Sequence, residues 1–542
     1  MTTRRWWHLD PGGVLVGLAL VALSLTPSLL PRPAILQGAL TAVAFGMGYA
    51  IGALLWWVIR SAVRGRPTHR TRRLFWWGML ALATAIIVLV GTAAVGWQNE
   101  VRALVGVEPI DAVAGGTFFA STVVVSALLL VIGRGVRRLA VHLVRLVGPA
   151  IAGLGVVSVV SAAIVLLGLA VMVTIDSVYA ARNGQPDAAL REPESATRSA
   201  GALSAVEWQG LGRHGADFVA GGPRADEITA LTGVDALDPI RIYVGVGNAD
   251  SVSERAALAV AELRRTGAFD RELLVVATTT GSGWLEEQAV DAVEYLHAGD
   301  TAIVALQYAY TPSWVSFLFD PDAPVAAAQA MFDAVYAEWL SMPSTDRPRL
   351  VTYGLSLGAH GAQAVFESLD DVRARTDGAL FVGSPASSSL WQTLQATRDE
   401  GSPAWQPVLD AGERVRWMSQ PGDTERLPGP WTEPRVLYLQ HATDPITWLS
   451  TDLLWSAPEW LEPEQRGPDV SPSMRWIPVV TGLQVTIDML MGTTPPARHG
   501  HNFGDVMVDS WRAVTGDAGL SPEALDAVRA EIESYATPAD DD

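Results

Sequence analysis

Five long apolar runs fill the first 175 residues, and they leave this part of the chain few ways to fold. They cover Gly13 to Leu30, about Ala34 to Ile59, Leu74 to Trp97, Val113 to Ile132 and Pro149 to Ile175, and they hold almost no charge. A bilayer core is crossed by roughly 20 apolar residues in a helix. Inside lipid the backbone must satisfy its own hydrogen bonds, so helices are the economical solution. The sequence therefore predicts an α-helical transmembrane domain over residues 1–175, with about five helices. The first run could be a signal peptide, but reads better as a span. No small-residue cleavage site comes after it, only Pro31-Arg32-Pro33.

The arginines predict an orientation. Arg4 and Arg5 lie at the N-terminus, Arg60, Arg64, Arg66, Arg70, Arg72 and Arg73 crowd the second loop, and Arg134, Arg137, Arg138 and Arg145 crowd the fourth. The first and third loops carry only Arg32 and Arg102. Arginine-rich loops stay in the cytoplasm. With five crossings the N-terminus is cytoplasmic and everything after Ile175 is extracytoplasmic. Trp56-Trp57 and Trp76-Trp77 flank the second loop as an interfacial belt would. A transporter would need ionisable groups within its spans, whereas here they fall in loops and at helix ends.

Charge separates the halves. Residues 1–175 hold 14 arginines and 4 acidic residues, and the remainder holds 24 and 53. An acidic soluble half argues against nucleic acid as a partner. The chain has no cysteine, which excludes disulfides and thiol chemistry.

Residues 176–205 are polar and carry Asn183-Gly184, Pro186 and Pro193, and they read as a linker. Residues 206–542 then alternate. Apolar strands are expected at Ile240–Val244, Leu273–Ala277, Thr301–Gln307, Leu350–Tyr353, Ala379–Val382 and Arg435–Leu439. Helices are expected at Val252–Arg265, Leu285–His297 and Val325–Leu340. Continuous apolar strands between helices predict a mostly parallel sheet covered on both faces. The acidic end Asp540-Asp541-Asp542 reads as a solvated tail.

The fourth of these strands runs into Gly354-Leu355-Ser356-Leu357-Gly358, and helical spacing continues at Ala362, Val365, Phe366 and Leu369. G-x-S-x-G at a strand-to-helix junction is the context of a nucleophile elbow. The sharp turn strains the serine backbone and leaves no room for side chains at Gly354 and Gly358. Groups that act with such a serine sit beyond the carboxyl ends of strands. Asp444 comes after the last strand, as a triad acid would. Pro495 to Gly504 then supplies His501 as the base, with His499 as the alternative and His441 as a weaker rival. The order Ser, Asp, His is that of α/β-hydrolases. The pair His499 and His501 could also ligate a metal, but no third ligand is evident, so neither metal nor cofactor is expected. The oxyanion hole is expected from the amides of Leu357 and of Thr280 or Gly281, just past the second strand. Trp284, Tyr308 and Trp314 are candidate pocket residues, and the tryptophan-rich stretch Ile446 to Trp476 is a candidate cap.

With these residues in view the chain resembles the bacterial membrane-anchored α/β-hydrolase family, in which a multi-spanning domain precedes the hydrolase. The resemblance rests on Leu25 to Arg32 (LTPSLLPR), Arg264 to Arg271, Thr280 to Trp284, Pro312-Ser313-Trp314, the elbow, Gly383-Ser384-Pro385, Asp444-Pro445 and His499-Gly500-His501. It departs from a general hydrolase in lacking a clear strand before the histidine loop. Trp476 to Leu490 reads as strand or helix. The resemblance implies a serine esterase of the plasma membrane acting on a lipid or lipid-like ester, with aminoacyl-phosphatidylglycerol one candidate and envelope glycolipid esters another. An acyltransferase using the same residues and a non-catalytic binding module are the alternatives. Oligomeric state is not legible in the sequence.

Overall fold

The computed structural model describes residues 10–62, 69–113, 115–147 and 149–535. Arg4, Arg5, Arg64 and Arg66 of the orientation argument, and the tail 540–542, lie outside them. The chain forms two units. The first is built from the N-terminal helices together with Ser450–Pro463 and Pro468–Met491. The second is built from Met172–Leu449, Glu464–Gly467 and the chain from Gly492 onward.

Five helices open the chain: α1 (Pro11–Ser24), α2 (Ala34–Ala62), α3 (His69–Leu104), α4 (Gly116–Val147) and α5 (Pro149–Asn183). Asp10 caps α1 by accepting from the amide of Gly12 at 3.1 Å. α1 and α2 approach through glycines. A methyl at Gly17 would strike Phe45, and methyls at Gly48 and Gly52 would strike the backbone of Val16 and Gly12. Small residues give membrane helices this proximity.

Among the described residues three stretches are long and apolar enough to cross a bilayer: Ala34–Ser61, Trp76–Leu104 and Gly116–Val136. They expose large apolar side chains such as Leu54, Trp57, Leu89 and Val124, which suits contact with lipid. Two sequence expectations change. The first apolar run is not one helix, because α1 stops at Ser24 and the prolines at 27, 31 and 33 keep the chain from resuming a helix before α2. Its 14 residues rise only about 21 Å, short of a bilayer core. The arginines 134, 137, 138 and 145 fall on α4 itself and not in a loop.

The second unit holds a seven-stranded parallel sheet in the order β1-β3-β2-β4-β5-β7-β6. The strands are β1 (Ile240–Val244), β2 (Leu273–Thr278), β3 (Thr301–Leu306), β4 (Arg349–Leu355), β5 (Gly378–Val382), β6 (Val415–Met418) and β7 (Arg435–Leu439). Every residue of β1, β2, β3 and β5 is buried, so both faces are covered. Helices Val252–Thr266, Asp322–Ser341 and Leu357–Ala364 pack as one group, and Glu287–Leu296, Met507–Thr515 and Pro522–Ser534 as another. Local chemistry sets their ends. Ser251 and Glu254 form a capping box at the start of Val252–Thr266, and Gly267 closes it at φ 70°.

Three further differences from the sequence reading matter. The polar stretch 176–205 is not a free linker. α5 runs on to Asn183, and Arg198 bridges to β1, with Ser199 donating to the carbonyl of Arg241 at 3.1 Å. The stretch Trp476 to Leu490 resolves as helix Val480–Met489, so no strand leads into the histidine loop. The edge of the sheet is instead filled by β6, which comes earlier in the chain than its neighbour β7. The tryptophan-rich stretch divides between units. Trp448 stays with the sheet, whereas Trp455, Trp460 and Trp476 belong to the helical unit.

Candidate active site

β4 is a central strand, and its carboxyl end delivers Ser356 into a backbone that L-residues avoid, at φ 56° and ψ −122°. Ser356 holds this geometry because its amide donates to the carbonyl of Val382 on β5 at 2.9 Å, and because helix Leu357–Ala364 begins at the next residue. The flanking glycines are needed for space. A methyl at Gly354 would meet the backbone of Gly358, and one at Gly358 would meet the carbonyls of Thr278 and Thr279. The sequence argument for glycine at both positions thus has named obstacles.

β7 ends one strand beyond β5 and delivers Asp444. Its carboxylate is fully buried. One oxygen, Oδ1, accepts from the amide of Ile446 at 2.8 Å and caps the short helix Pro445–Trp448. The other, Oδ2, accepts from the hydroxyl of Thr447 at 3.2 Å and stands 2.7 Å from Nδ1 of His501. A carboxylate only accepts, so Nδ1 carries the proton and the neutral ring keeps its lone pair on Nε2. Of the two histidines of the loop, His501 is buried and engaged by Asp444, and His499 is half-buried.

The loop that carries His501 is itself held. Gly500 donates to Thr443 Oγ1 at 3.0 Å, and its carbonyl accepts from Nδ1 of His441 at 3.0 Å. The ring of His441 stacks on Phe503 at 4.1 Å, and Phe503 meets His501 edge-on at 5.5 Å. His441 thus supports the loop. Gly383 completes the junction. Its own φ is 54°, and a methyl there would collide with the ring of His501 and with Phe503. Gly383 comes directly after Val382, whose carbonyl takes the amide of Ser356, so adjacent residues at the end of β5 abut the serine backbone and the imidazole ring. Sequence reasoning assigns no role to Thr443, Phe503 or Gly383. Only Gly383 carries a signal, as part of Gly383-Ser384-Pro385.

The expected oxyanion donors differ in how the fold engages them. Leu357 opens the helix after Ser356. The amide of Thr280 donates to the carbonyl of Trp284 at 3.0 Å, and that of Gly281 to the hydroxyl of Ser313 at 3.1 Å. The hydroxyl of Thr280 is buried and has no partner among the described residues. Trp284, Tyr308 and Trp314 are half-buried and lie past the carboxyl ends of β2 and β3. Four residues after Ser356, His360 has its Nδ1 3.1 Å from Ser388 Oγ, and burial lowers its pKa from the ordinary 6.5 against the raising effect of Asp322 and the Pro321 carbonyl. Among the described residues no group of three or more His, Asp or Glu could hold a metal ion.

Residues 240–528 match the alpha/beta-hydrolase family, and residues 25–223 match the alpha/beta-hydrolase family N-terminus. The chain belongs to the alpha/beta-hydrolase family. Comparison with curated proteins and with solved structures found no match. Family membership supports a hydrolase-like role, and the three long apolar helices suggest association with a membrane.

Proposed function

We propose that this alpha/beta-hydrolase family member is a membrane-anchored serine hydrolase that cleaves a carboxylic ester of a lipid. The observation that supports the reading is the pairing of His501 with Asp444, set beside Gly383, the residue next to the Val382 carbonyl that takes the amide of Ser356, itself strained at φ 56°. Ser356 Oγ attacks the ester carbonyl while Nε2 of His501 takes its proton. Asp444 holds the tautomer and stabilises the imidazolium, which then protonates the leaving alcohol. Water, deprotonated by the same histidine, releases the acid from the acyl-enzyme. The oxyanion is held by the amide of Leu357, by the buried hydroxyl of Thr280, and by the amide of Gly281 once it gives up the exchangeable Ser313 hydroxyl. Trp284, Tyr308 and Trp314 line the acyl or alcohol side.

A lipid ester is supported by the anchor, which keeps the site beside lipid and raises the effective substrate concentration. Aminoacyl-phosphatidylglycerol and envelope glycolipid esters are the candidates. We place the site outward from the plasma membrane, in keeping with a cytoplasmic arginine-rich loop between α2 and α3; the expected cytoplasmic N-terminus does not go with this once α1 is too short to cross. The test is labelling of intact cells with a membrane-impermeant fluorophosphonate. Labelling of the wild type that vanishes in Ser356→Ala supports both the activated serine and the outward domain. Labelling only after lysis reverses the orientation, and no labelling of folded protein refutes the enzyme.

A further inference from the structure

Gly383 abuts the ring of His501 and sits at φ 54°. Glycine is the least restricted residue of a chain, so a left-handed glycine keeps its place only if its surroundings hold it. Restraints come from both sides. The amide of Gly383 donates to the carbonyl of Leu439 on β7 at 2.9 Å. The hydroxyl of the next residue, Ser384, accepts from Nε2 of Gln363 at 3.1 Å. Ser384 and Gln363 are both buried.

Gln363 lies on helix Leu357–Ala364, which begins at the residue after Ser356. Nε2 of Gln363 donates also to the carbonyl of Ala359 at 3.0 Å, one turn back. Its Oε1 accepts from the amide of Trp391 at 3.0 Å and from the hydroxyl of Tyr438 on β7 at 3.2 Å. Both amide hydrogens and both lone pairs are thus engaged. The network continues toward Asp444. Nε1 of Trp391 donates to Oε1 of Gln440 at 2.8 Å, and Gln440 opens the turn after β7 that delivers the acid.

Apolar side chains would fill this volume as well. A buried amide adds little net stability when satisfied, and each of its groups costs about 1–3 kcal/mol when left without a partner. What a fully bonded amide supplies is direction. Its bond to Ser384 sets the distance and angle between the helix that begins beside Ser356 and the turn that lies against the imidazole.

We propose that Gln363, through Ser384, is a positioning residue that holds Gly383 against His501 and so places the imidazole for Ser356. The proposal rests on the reading of Ser356, His501 and Asp444 as the reacting group. It also gives a task to Ser384 of the run Gly383-Ser384-Pro385: the glycine leaves room for the ring, and the serine holds the glycine.

The test uses the full chain in detergent micelles and a fluorophosphonate probe. The second-order labelling rate constant is measured against pH, alongside the labelled fraction at completion and the melting temperature. Ser384→Ala removes the acceptor and leaves Gln363 its other three bonds, so it is expected to fold. Its rate constant should fall about tenfold and the midpoint of its pH profile should move, while the fraction labelled at completion stays near that of the wild type. Tyr438→Phe removes a different bond of Gln363 and leaves the one to Ser384. It should lower the melting temperature by a few degrees and keep the wild-type rate constant and profile. Gln363→Met removes both bonds, and Gln363→Met/Ser384→Ala should be no slower than Gln363→Met alone, because the two residues act through one contact. If Gln363→Met fails to fold, Ser384→Ala and Tyr438→Phe decide. A wild-type rate constant in Ser384→Ala overturns the proposal. A fall in rate with the midpoint unmoved, or an equal fall in Tyr438→Phe, overturns it too, since the network then serves stability alone. Wild-type protein that takes no label, or Ser356→Ala that still does, is a different result. It refutes the esterase reading and takes the positioning role down with it.

Discussion

Asp444 divides its two oxygens between His501 and the backbone: Oδ2 lies 2.7 Å from Nδ1 of His501 and also accepts from the hydroxyl of Thr447, and Oδ1 takes the amide of Ile446 at 2.8 Å. The same carboxylate therefore caps the short helix Pro445–Trp448 and faces the imidazole that the proposed mechanism uses. The division gives a clean test. Asp444→Asn keeps an oxygen for the Ile446 amide but presents an amide or an uncharged carbonyl to His501, which favours the wrong tautomer. Turnover of an ester substrate is expected to fall by about 10³- to 10⁴-fold. Melting of the folded protein should move by only a few degrees, because the cap survives.

His441 stacks on Phe503 and holds the carbonyl of Gly500. His441→Phe retains the ring face and loses the donor, which leaves a buried carbonyl short of a bond and costs about 1–3 kcal/mol of stability. The variant should keep measurable activity with a lowered kcat and an unchanged KM, because the loop beneath His501 loosens while the pocket is untouched. His501→Phe should abolish activity. Equal loss in both would make His441 the base.

The strands of the sheet were legible because they are continuous apolar runs, and Ser356 because glycines flank it at a strand-to-helix junction. β6 was not, since it is four residues long with Arg416 inside it. That side chain is tolerated because the carbonyls of Gly412, Thr424 and Gly429 take its donors and Trp431 lies under it at 5.2 Å. No local pattern encodes such a cage. The setting of Asp488, whose buried Oδ2 accepts from the hydroxyl of Ser28 and from the amide of Leu29 at 3.0 Å, was hidden for a related reason. Ser28 and Asp488 stand 460 residues apart, and a single aspartate near the end of an apolar helix reads as an exposed position. That His501 and not His499 pairs with Asp444 depends on the acid's position in space, which spacing alone does not supply.

His360 supplies a prediction about acid. Burial lowers its pKa below the ordinary 6.5, so the folded state favours the neutral ring. Below pH 6.5 the unfolded chain binds the proton more readily than the folded one, so stability falls as pH falls through the ordinary value toward the folded one. The penalty is absent above that window. His360→Gln can still bond Ser388 Oγ but cannot titrate. Melting temperatures measured from about pH 8 down to about pH 5 should therefore decline less steeply in the variant than in the wild type. Parallel curves would mean that His360 charges without cost.

Thr280 allows the oxyanion assignment to be tested without disturbing the fold. Its hydroxyl is buried with no partner among the described residues, while its amide is committed to Trp284. A buried hydroxyl without a partner lowers stability, so some other gain must offset its presence. Thr280→Val keeps the shape and removes the hydroxyl. If that group is a donor to the developing oxyanion, kcat should fall by about 10²-fold or more with KM little changed, since the bond is made in the transition state. Stability should stay level or rise. Thr280→Ser should recover most of the rate. A valine variant with wild-type kcat would leave the oxyanion to Leu357 and Gly281 alone.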